Sequence, residues 1–95
     1  MLRHMVFFKS KFPSDAPLIE LKERLQSMVG QVKDIISLEI GLDIVHSERS
    51  YDAALTITVE NEEALGRYAA DPYHQEIMLW IKEQEFETKV VDYEF

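Results

Sequence analysis

Apolar and polar residues alternate through residues 36–45, in the most regular pattern of the chain. A repeat of two places successive side chains on opposite faces of a strand, so this segment is predicted to be a half-buried β-strand. The same alternation recurs in residues 53–60, and the polar residues 46–52 have the composition of a turn. The two strands are therefore expected to form an antiparallel hairpin. The apolar positions that carry the pattern are Ile36, Leu38, Ile40, Leu42, Ile44, Ala53, Leu55, Ile57 and Val59.

Three helices are predicted from apolar residues at helical spacing. The first follows Ser14 or Asp15, either of which can cap it, and the second follows Asn61, which is a favourable cap residue. Asp71 ends the second helix and caps the third, because Pro72 disfavours helical geometry in the residue before it but fits the first helical position. The residues expected to face inward are Leu18, Leu21, Leu25, Met28 and Val29, then Leu65, Tyr68 and Ala69, and finally Ile77, Met78 and Ile81.

The two ends of the chain complete the predicted sheet. Residues 2–8 and 85–95 are rich in Val, Phe and other apolar residues and are predicted to be strands. The resulting order, strand, helix, strand, strand, helix, helix, strand, is typical of an α+β, ferredoxin-like fold with a four-stranded antiparallel sheet and helices on one face. Four apolar residues fall on the uncovered face, so we expect two such faces to pack together in a homodimer. They are Met5, Phe7, Tyr93 and Phe95.

Length, charge and composition argue against several classes of protein. The 95 residues suit one small domain, which we expect to span residues 1–95. A net charge of −8 disfavours nucleic acid or an anionic membrane surface as a partner. The absence of cysteine excludes disulfides, thiolate nucleophiles and cysteine-based metal sites. We see neither a signal peptide nor an apolar run that could span a membrane, and we expect a soluble cytoplasmic protein.

Short motifs occur in a defined order along the chain: HMVFFK at its start, Tyr68-x-x-Asp71-Pro72-x-His74 in the middle, and VVDYEF at its end. With this order and spacing, the whole chain resembles the stress-responsive A/B barrel family, known as Dabb. The resemblance implies a dimeric α+β barrel. It also implies site residues, since related plant polyketide cyclases use a His and a Tyr at the positions that match His74 and Tyr68. One departure is that the turn after the first helix lacks the Pro-Gly pair that is frequent in the family.

Three residues form the candidate catalytic set: His74, Tyr68 and His4. In the first turn of the third helix, unpaired N–H groups and the helix dipole disfavour a positive charge on His74, and burial would act in the same direction. A neutral imidazole can accept a proton from a carbon next to a carbonyl group. Tyr68 can donate a hydrogen bond to the oxygen on which negative charge develops. His4, on the same strand face as Val6, can hold the imidazole or the substrate.

Structural roles for the same residues remain open. A Tyr packed on the sheet and a His bonded to a backbone carbonyl would stabilise the corner between two helices without any chemistry. A metal site built from His4, His74 and Asp71 or Asp92 would lack a recognised ligand spacing, and the three glycines form no phosphate-binding loop. Neither a metal nor a cofactor is therefore predicted.

Two functions from different classes follow. The first is a cofactor-free acid/base enzyme, a lyase, cyclase or isomerase that acts on a small carbonyl or polyketide-like compound. The second is a non-catalytic, stress-related structural or ligand-binding dimer. An enzyme or a binding protein needs a cavity on the order of a few hundred Å³ that both His74 and Tyr68 reach, whereas a purely structural role does not.

Overall fold

The helices and strands follow the predicted order in the computed structural model, which describes residues 1–12 and 14–95. Each predicted strand and helix is present, and the first and last strands lie at the two ends of the chain. In chain order the elements are β1 (Leu2–Lys9), α1 (Ala16–Gln26), β2 (Ser37–Leu42), β3 (Ala53–Val59), α2 (Glu62–Ala70), α3 (Pro72–Glu83) and β4 (Glu87–Glu94).

The four strands form one antiparallel sheet in the order β2-β3-β1-β4. β1 lies inside the sheet and pairs with both β3 and β4, so the two ends of the chain are neighbours. In this register His4 is opposite Asp92, and Val6 is opposite Val90. The strand order and the antiparallel pairing are those of the ferredoxin-like arrangement, which confirms the predicted α+β fold.

The hydrophobic core lies between the helices and one face of the sheet. Alternate residues of β1 and β3 enter it, because a strand sends every second side chain to the same face. No helix in the described part of the chain is long and apolar enough to cross a membrane. The largest side chains that are almost fully buried are Phe8, Leu21, Leu25, Met28, Val32, Leu55, Ile57 and Val59.

The opposite face of the sheet is open. Met5 is paired with Val91 and Arg3 with Tyr93, so these residues share that face. The guanidinium carbon of Arg3 lies 4.1 Å from the centroid of the Phe95 ring, which brings this terminal ring to the same face. The predicted placement of four apolar residues is therefore confirmed: Met5, Phe7, Tyr93 and Phe95.

The hairpin of β2 and β3 is confirmed, but β2 is shorter than the alternation predicts. Ile36 and Ile44 lie outside the strand, and Ile44 is 87% exposed. The chain turns at Asp43, whose carboxylate accepts a hydrogen bond of 2.7 Å from the backbone N–H of His46. An alternating sequence reports which face a residue would take in a strand, but it does not report where strand pairing stops.

Helix α1 also ends earlier than the spacing predicts. Its last residue is Gln26, and turns carry the chain on to Gly30, whose φ of 86° suits a residue without a Cβ. Met28 is buried, as predicted, although it follows the helix. Val29 in this turn and Ala69 on α2 are exposed, so the prediction that they are buried is wrong.

Candidate functional site

The corner between α2 and α3 is built by Asp71, which ends one helix and begins the next. Its backbone is extended, with φ −62° and ψ 129°, and Pro72 follows at the first position of α3. The Asp71 carboxylate accepts hydrogen bonds from the backbone N–H groups of Tyr73 and His74, at 2.8 and 3.4 Å. The predicted cap is confirmed. It fixes the first turn of α3, and with it the position of His74.

His74 is largely buried, with 9% of its surface exposed. Its Nδ1 lies 3.2 Å from the backbone carbonyl oxygen of Ala69, at the end of α2. Because a carbonyl can only accept, Nδ1 carries the hydrogen in the neutral ring, and Nε2 is left with its lone pair. Burial lowers the pKa of His74, and the charge of His4 acts in the same direction, while the bond to Ala69 and the carboxylate of Asp71 oppose the shift. The imidazole is therefore neutral at pH 7.

Tyr68 occupies the last turn of α2 and is 2% exposed. The centroid of its ring lies 4.2 Å from that of His74 and 5.6 Å from that of His4. Burial strongly raises the pKa of the phenol, so the hydroxyl keeps its hydrogen and acts as a donor. Tyr68 thus lies between the two imidazoles and packs against both.

His4 projects from β1 and is held by Asp92 on the neighbouring strand β4. Nδ1 of His4 lies 2.5 Å from Oδ1 of Asp92, and the two residues face each other in the strand register. The exposed fractions of their side chains are 14% and 39%. Asp92 was absent from the candidate catalytic set and was considered only as a metal ligand. Its signal in the sequence is the alternation of β4, which puts it on the same face as Val90.

These side chains line one cavity of about 300 Å³ between the sheet and the helices. His4, Val6 and Phe8 follow each other along β1, so the ionisable groups lie at the His4 end, and the rest of the lining is apolar except for Thr88, which lies opposite Phe8. Met78, predicted to face inward, is partly exposed in the wall formed by α3. The full lining is His4, Val6, Phe8, Leu25, Leu55, Leu65, Tyr68, Ala69, His74, Met78, Thr88, Val90 and Asp92.

A more open groove of about 510 Å³ runs along the outside of α3 and the start of β4. Met78 and Thr88 line both the groove and the cavity, so the two spaces adjoin. The groove is otherwise lined by residues such as Leu79 and Phe86, and it contains neither His74 nor Tyr68. The groove is therefore a neighbouring surface feature and not the place where the polar groups meet.

The structure brings together all three predicted site residues. His74 offers a proton acceptor, Tyr68 offers a hydrogen-bond donor, and His4 is oriented by Asp92, an arrangement suited to moving a proton within a shielded space. Their catalytic roles stay a prediction. Among the described residues no group of three or more His, Asp or Glu side chains is placed to hold a metal ion. His46, the third histidine, is exposed on the loop between β2 and β3.

Comparison with known proteins identifies the family. An uncharacterised protein of Streptomyces coelicolor is 35% identical over 100 residues, with complete coverage of both chains. A dimeric protein of unknown function with a ferredoxin-like fold from Bacteroides fragilis has a TM-score of 0.83 at 27% identity, covering 99% of this chain and 95% of its own. A dimeric ferredoxin-like protein from Thermobifida fusca has a TM-score of 0.86 at 16% identity, covering 99% and 90%. Since the family profile also matches residues 2–95, the chain belongs to the stress responsive A/B barrel domain family, Dabb.

Proposed function

We propose that this Dabb protein is a cofactor-free acid/base catalyst that acts on a small carbonyl or polyketide-like compound. The observation that carries the proposal is the shared cavity: a neutral His74 and a protonated Tyr68 lie against each other in the wall of one cavity of about 300 Å³. Cavities of this size are typical of small-molecule sites. A neutral base next to a hydrogen-bond donor is the minimum that proton abstraction beside a carbonyl requires.

The proposed step is the removal of a proton from the carbon next to the substrate carbonyl. Nε2 of His74 takes the proton, the electrons of the C–H bond form a carbon–carbon double bond, and the carbonyl electron pair moves to oxygen. The hydroxyl of Tyr68 donates a hydrogen bond to that oxygen, where the negative charge develops. The imidazolium then returns its proton to a carbon or an oxygen of the product, so the residues end as they began.

The bond between His74 and Ala69 supports this cycle. Nδ1–H donates to the carbonyl oxygen of Ala69, which stabilises the imidazolium that forms when Nε2 is protonated. The same bond fixes the ring, so that Nε2 has one orientation. His4 completes the wall and, held by Asp92, can position the substrate or the imidazole.

We also propose that the protein is a homodimer that packs through the open faces of its sheets. Its support is the apolar surface formed there by Met5, Phe7, Val91 and Tyr93, together with the dimeric character of the similar proteins from Bacteroides fragilis and Thermobifida fusca. Soluble monomers rarely leave an extended apolar face in contact with water. The cavity lies on the opposite side of the sheet, so packing of these faces leaves it accessible.

A second candidate function is a non-catalytic, stress-related dimer that binds a small molecule or has only a structural role. One observation favours it: His74 joins α3 to the end of α2 through Ala69, and this contact would stabilise the corner whether or not any proton moves. The two functions differ in whether Nε2 of His74 ever takes part in a reaction.

Exchange of hydrogen for deuterium beside a carbonyl group separates them. A set of small ketones, β-diketones and β-ketoesters is incubated with the protein in D₂O, and exchange at the carbon beside the carbonyl is followed by NMR. For at least one compound we expect exchange that His74→Ala abolishes and His46→Ala preserves, because His46 lies outside the cavity. Exchange that is absent with every compound would leave the non-catalytic function, and exchange that is unchanged in His74→Ala would exclude His74 as the base.

A further inference from the structure

The polar atoms in the cavity are poorly matched to a negatively charged ligand. Tyr68 provides an O–H donor, but neutral His74 presents a lone pair at Nε2, since its Nδ1 is bound to Ala69. Asp92 adds a carboxylate, of which Oδ1 is bound to His4. A carboxylate or phosphate in this place would meet a lone pair and a second anion, with only the neutral hydroxyl groups of Tyr68 and Thr88 as donors.

Cationic side chains do not compensate for this. Among the residues that the structure describes, neither a lysine nor an arginine lines the cavity, although sites for carboxylates and phosphates commonly use the paired N–H groups of arginine. The whole chain carries a net charge of −8, which adds to the unfavourable potential. An anion would therefore lose its hydration without gaining a lysine or arginine partner, and His4 is already paired with Asp92.

An uncharged carbonyl group matches the same atoms. Its oxygen can accept the hydrogen bond of Tyr68, and an adjacent N–H, O–H or acidic C–H can face the lone pair of His74. The apolar body of such a molecule would extend along β1 towards Phe8 and Leu25. With about 30 Å³ as the share of one water molecule in the liquid, a cavity of about 300 Å³ suits a small molecule rather than a long chain.

From this arrangement we infer that the cavity selects ligands whose carbonyl head group carries no negative charge, and that the Asp92 carboxylate sets this selectivity. The inference rests on the site of the proposed function, and it names the ligand class of that site. Asp92 has two separate roles here. One oxygen orients His4, and the negative charge of the group excludes anions from the polar end of the cavity.

Three probes of nearly the same size and shape test the selectivity: acetophenone, benzamide and benzoate. Each has a phenyl ring for the apolar part of the cavity, and only benzoate is charged at pH 7. Binding is measured by titration, with the ring protons of the three histidines followed by NMR. We expect acetophenone and benzamide to shift the signals of His4 and His74, while the exposed His46 serves as the internal reference. Benzoate should bind at least about tenfold more weakly, as expected for charges several Å apart at an effective dielectric constant near 20.

The variant Asp92→Asn assigns the effect to this carboxylate. Asparagine keeps an oxygen that can accept a hydrogen bond from His4 but removes the charge. The ratio of the benzamide affinity to the benzoate affinity should therefore fall by about tenfold. Glu94→Gln is the matched control. It removes one negative charge from the same strand and the same face, but Glu94 does not line the cavity, and the difference between the probes should persist.

Three results would overturn the inference. The first is that benzoate binds the native protein as tightly as benzamide, a result that needs no variant. The second is that Asp92→Asn and Glu94→Gln change the ratio of the benzamide and benzoate affinities equally. The selectivity would then come from the net charge of the protein rather than from the cavity. The third is that none of the probes shifts the NMR signals of His4 or His74. The test measures binding alone, so the selectivity can hold where deuterium exchange is absent and fail where exchange is present.

Discussion

The centroids of the His74 and Tyr68 rings lie 4.2 Å apart, and the planes of the two rings are tilted by 47°. The two residues come from different helices, and the bend at Asp71 is what folds α3 back so that they meet. Tyr68 is one turn before the bend, and His74 is in the first turn after it. A continuous helix through residue 72 would separate the base from its hydrogen-bond donor.

Tyr68→Phe should slow the proposed reaction by about 100- to 1,000-fold, which is the usual cost of losing one donor to a developing oxyanion. The ring and its packing remain, so the fold should be retained. Tyr73→Phe is the matched control, because the Tyr73 hydroxyl donates to the Ser27 hydroxyl at 2.7 Å and does not line the cavity. Steady-state rates of both variants on a compound found by deuterium exchange give the comparison. Equal rates for Tyr68→Phe and the native protein would remove Tyr68 from the mechanism.

Asp71→Ala should lower the free energy of unfolding by about 0.5–2 kcal/mol, the typical cost of losing a helix N-cap. Both backbone N–H groups that the carboxylate accepts from would be left without this partner. Asp15→Ala provides the comparison within the same chain. Asp15 occupies the N-cap position of α1, but its side chain makes no capping hydrogen bond, so its loss should have little effect. Urea unfolding of the two variants should therefore differ, and similar costs would contradict the importance of the Asp71 cap.

Local chemistry in the sequence was enough to predict the bend and the place of His74. A Pro after a capping Asp restricts only its immediate neighbours, so Asp71 and Pro72 specify their geometry without reference to the rest of the chain. The bond from His4 to Asp92 joins residues 88 positions apart and depends on how β1 pairs with β4. Strand alternation gave the correct face for Asp92, but only the register shows which residue lies opposite it.

The exposed position of Ile44 has a similar explanation. Its alternation with polar neighbours continues that of β2, yet the carboxylate of Asp43 bonds to the loop and ends the strand first. The inward position of Tyr68 was predicted from the spacing of α2, but its contacts with two imidazoles from other elements were not. Periodicity predicts the face of a regular element well, but it does not report the end of the element or its distant contacts.

Phe7→Asp should dissociate the proposed homodimer, because an unpaired charge would be buried in the apolar contact between the two sheets. A contact of this kind is expected to bury about 1,200–2,000 Å² in total. Light scattering at micromolar concentration should report a dimer for the native protein and a monomer for the variant. Ile19→Asp is the control, since Ile19 is an exposed apolar residue of α1, away from the open face. A native protein that is monomeric, or equal dissociation by both variants, would contradict packing through the sheet.

The pH dependence of stability should report the neutral state of His74. Burial lowers its pKa in the folded protein below the ordinary value near 6.5, so the unfolded chain takes up a proton more readily. The stabilisation that comes from keeping His74 neutral is complete above that ordinary value and is lost as the pH falls through the lower pKa of the folded protein. Unfolding by urea between pH 7.5 and pH 5 should therefore show a falling free energy, and His74→Gln should make the slope smaller. His46→Gln, which changes an exposed histidine outside the cavity, is the control for the loss of an imidazole as such. A slope that His74→Gln does not alter would show that the imidazole is protonated equally well in the folded and unfolded chain, and the proposed base would then lose its physical support.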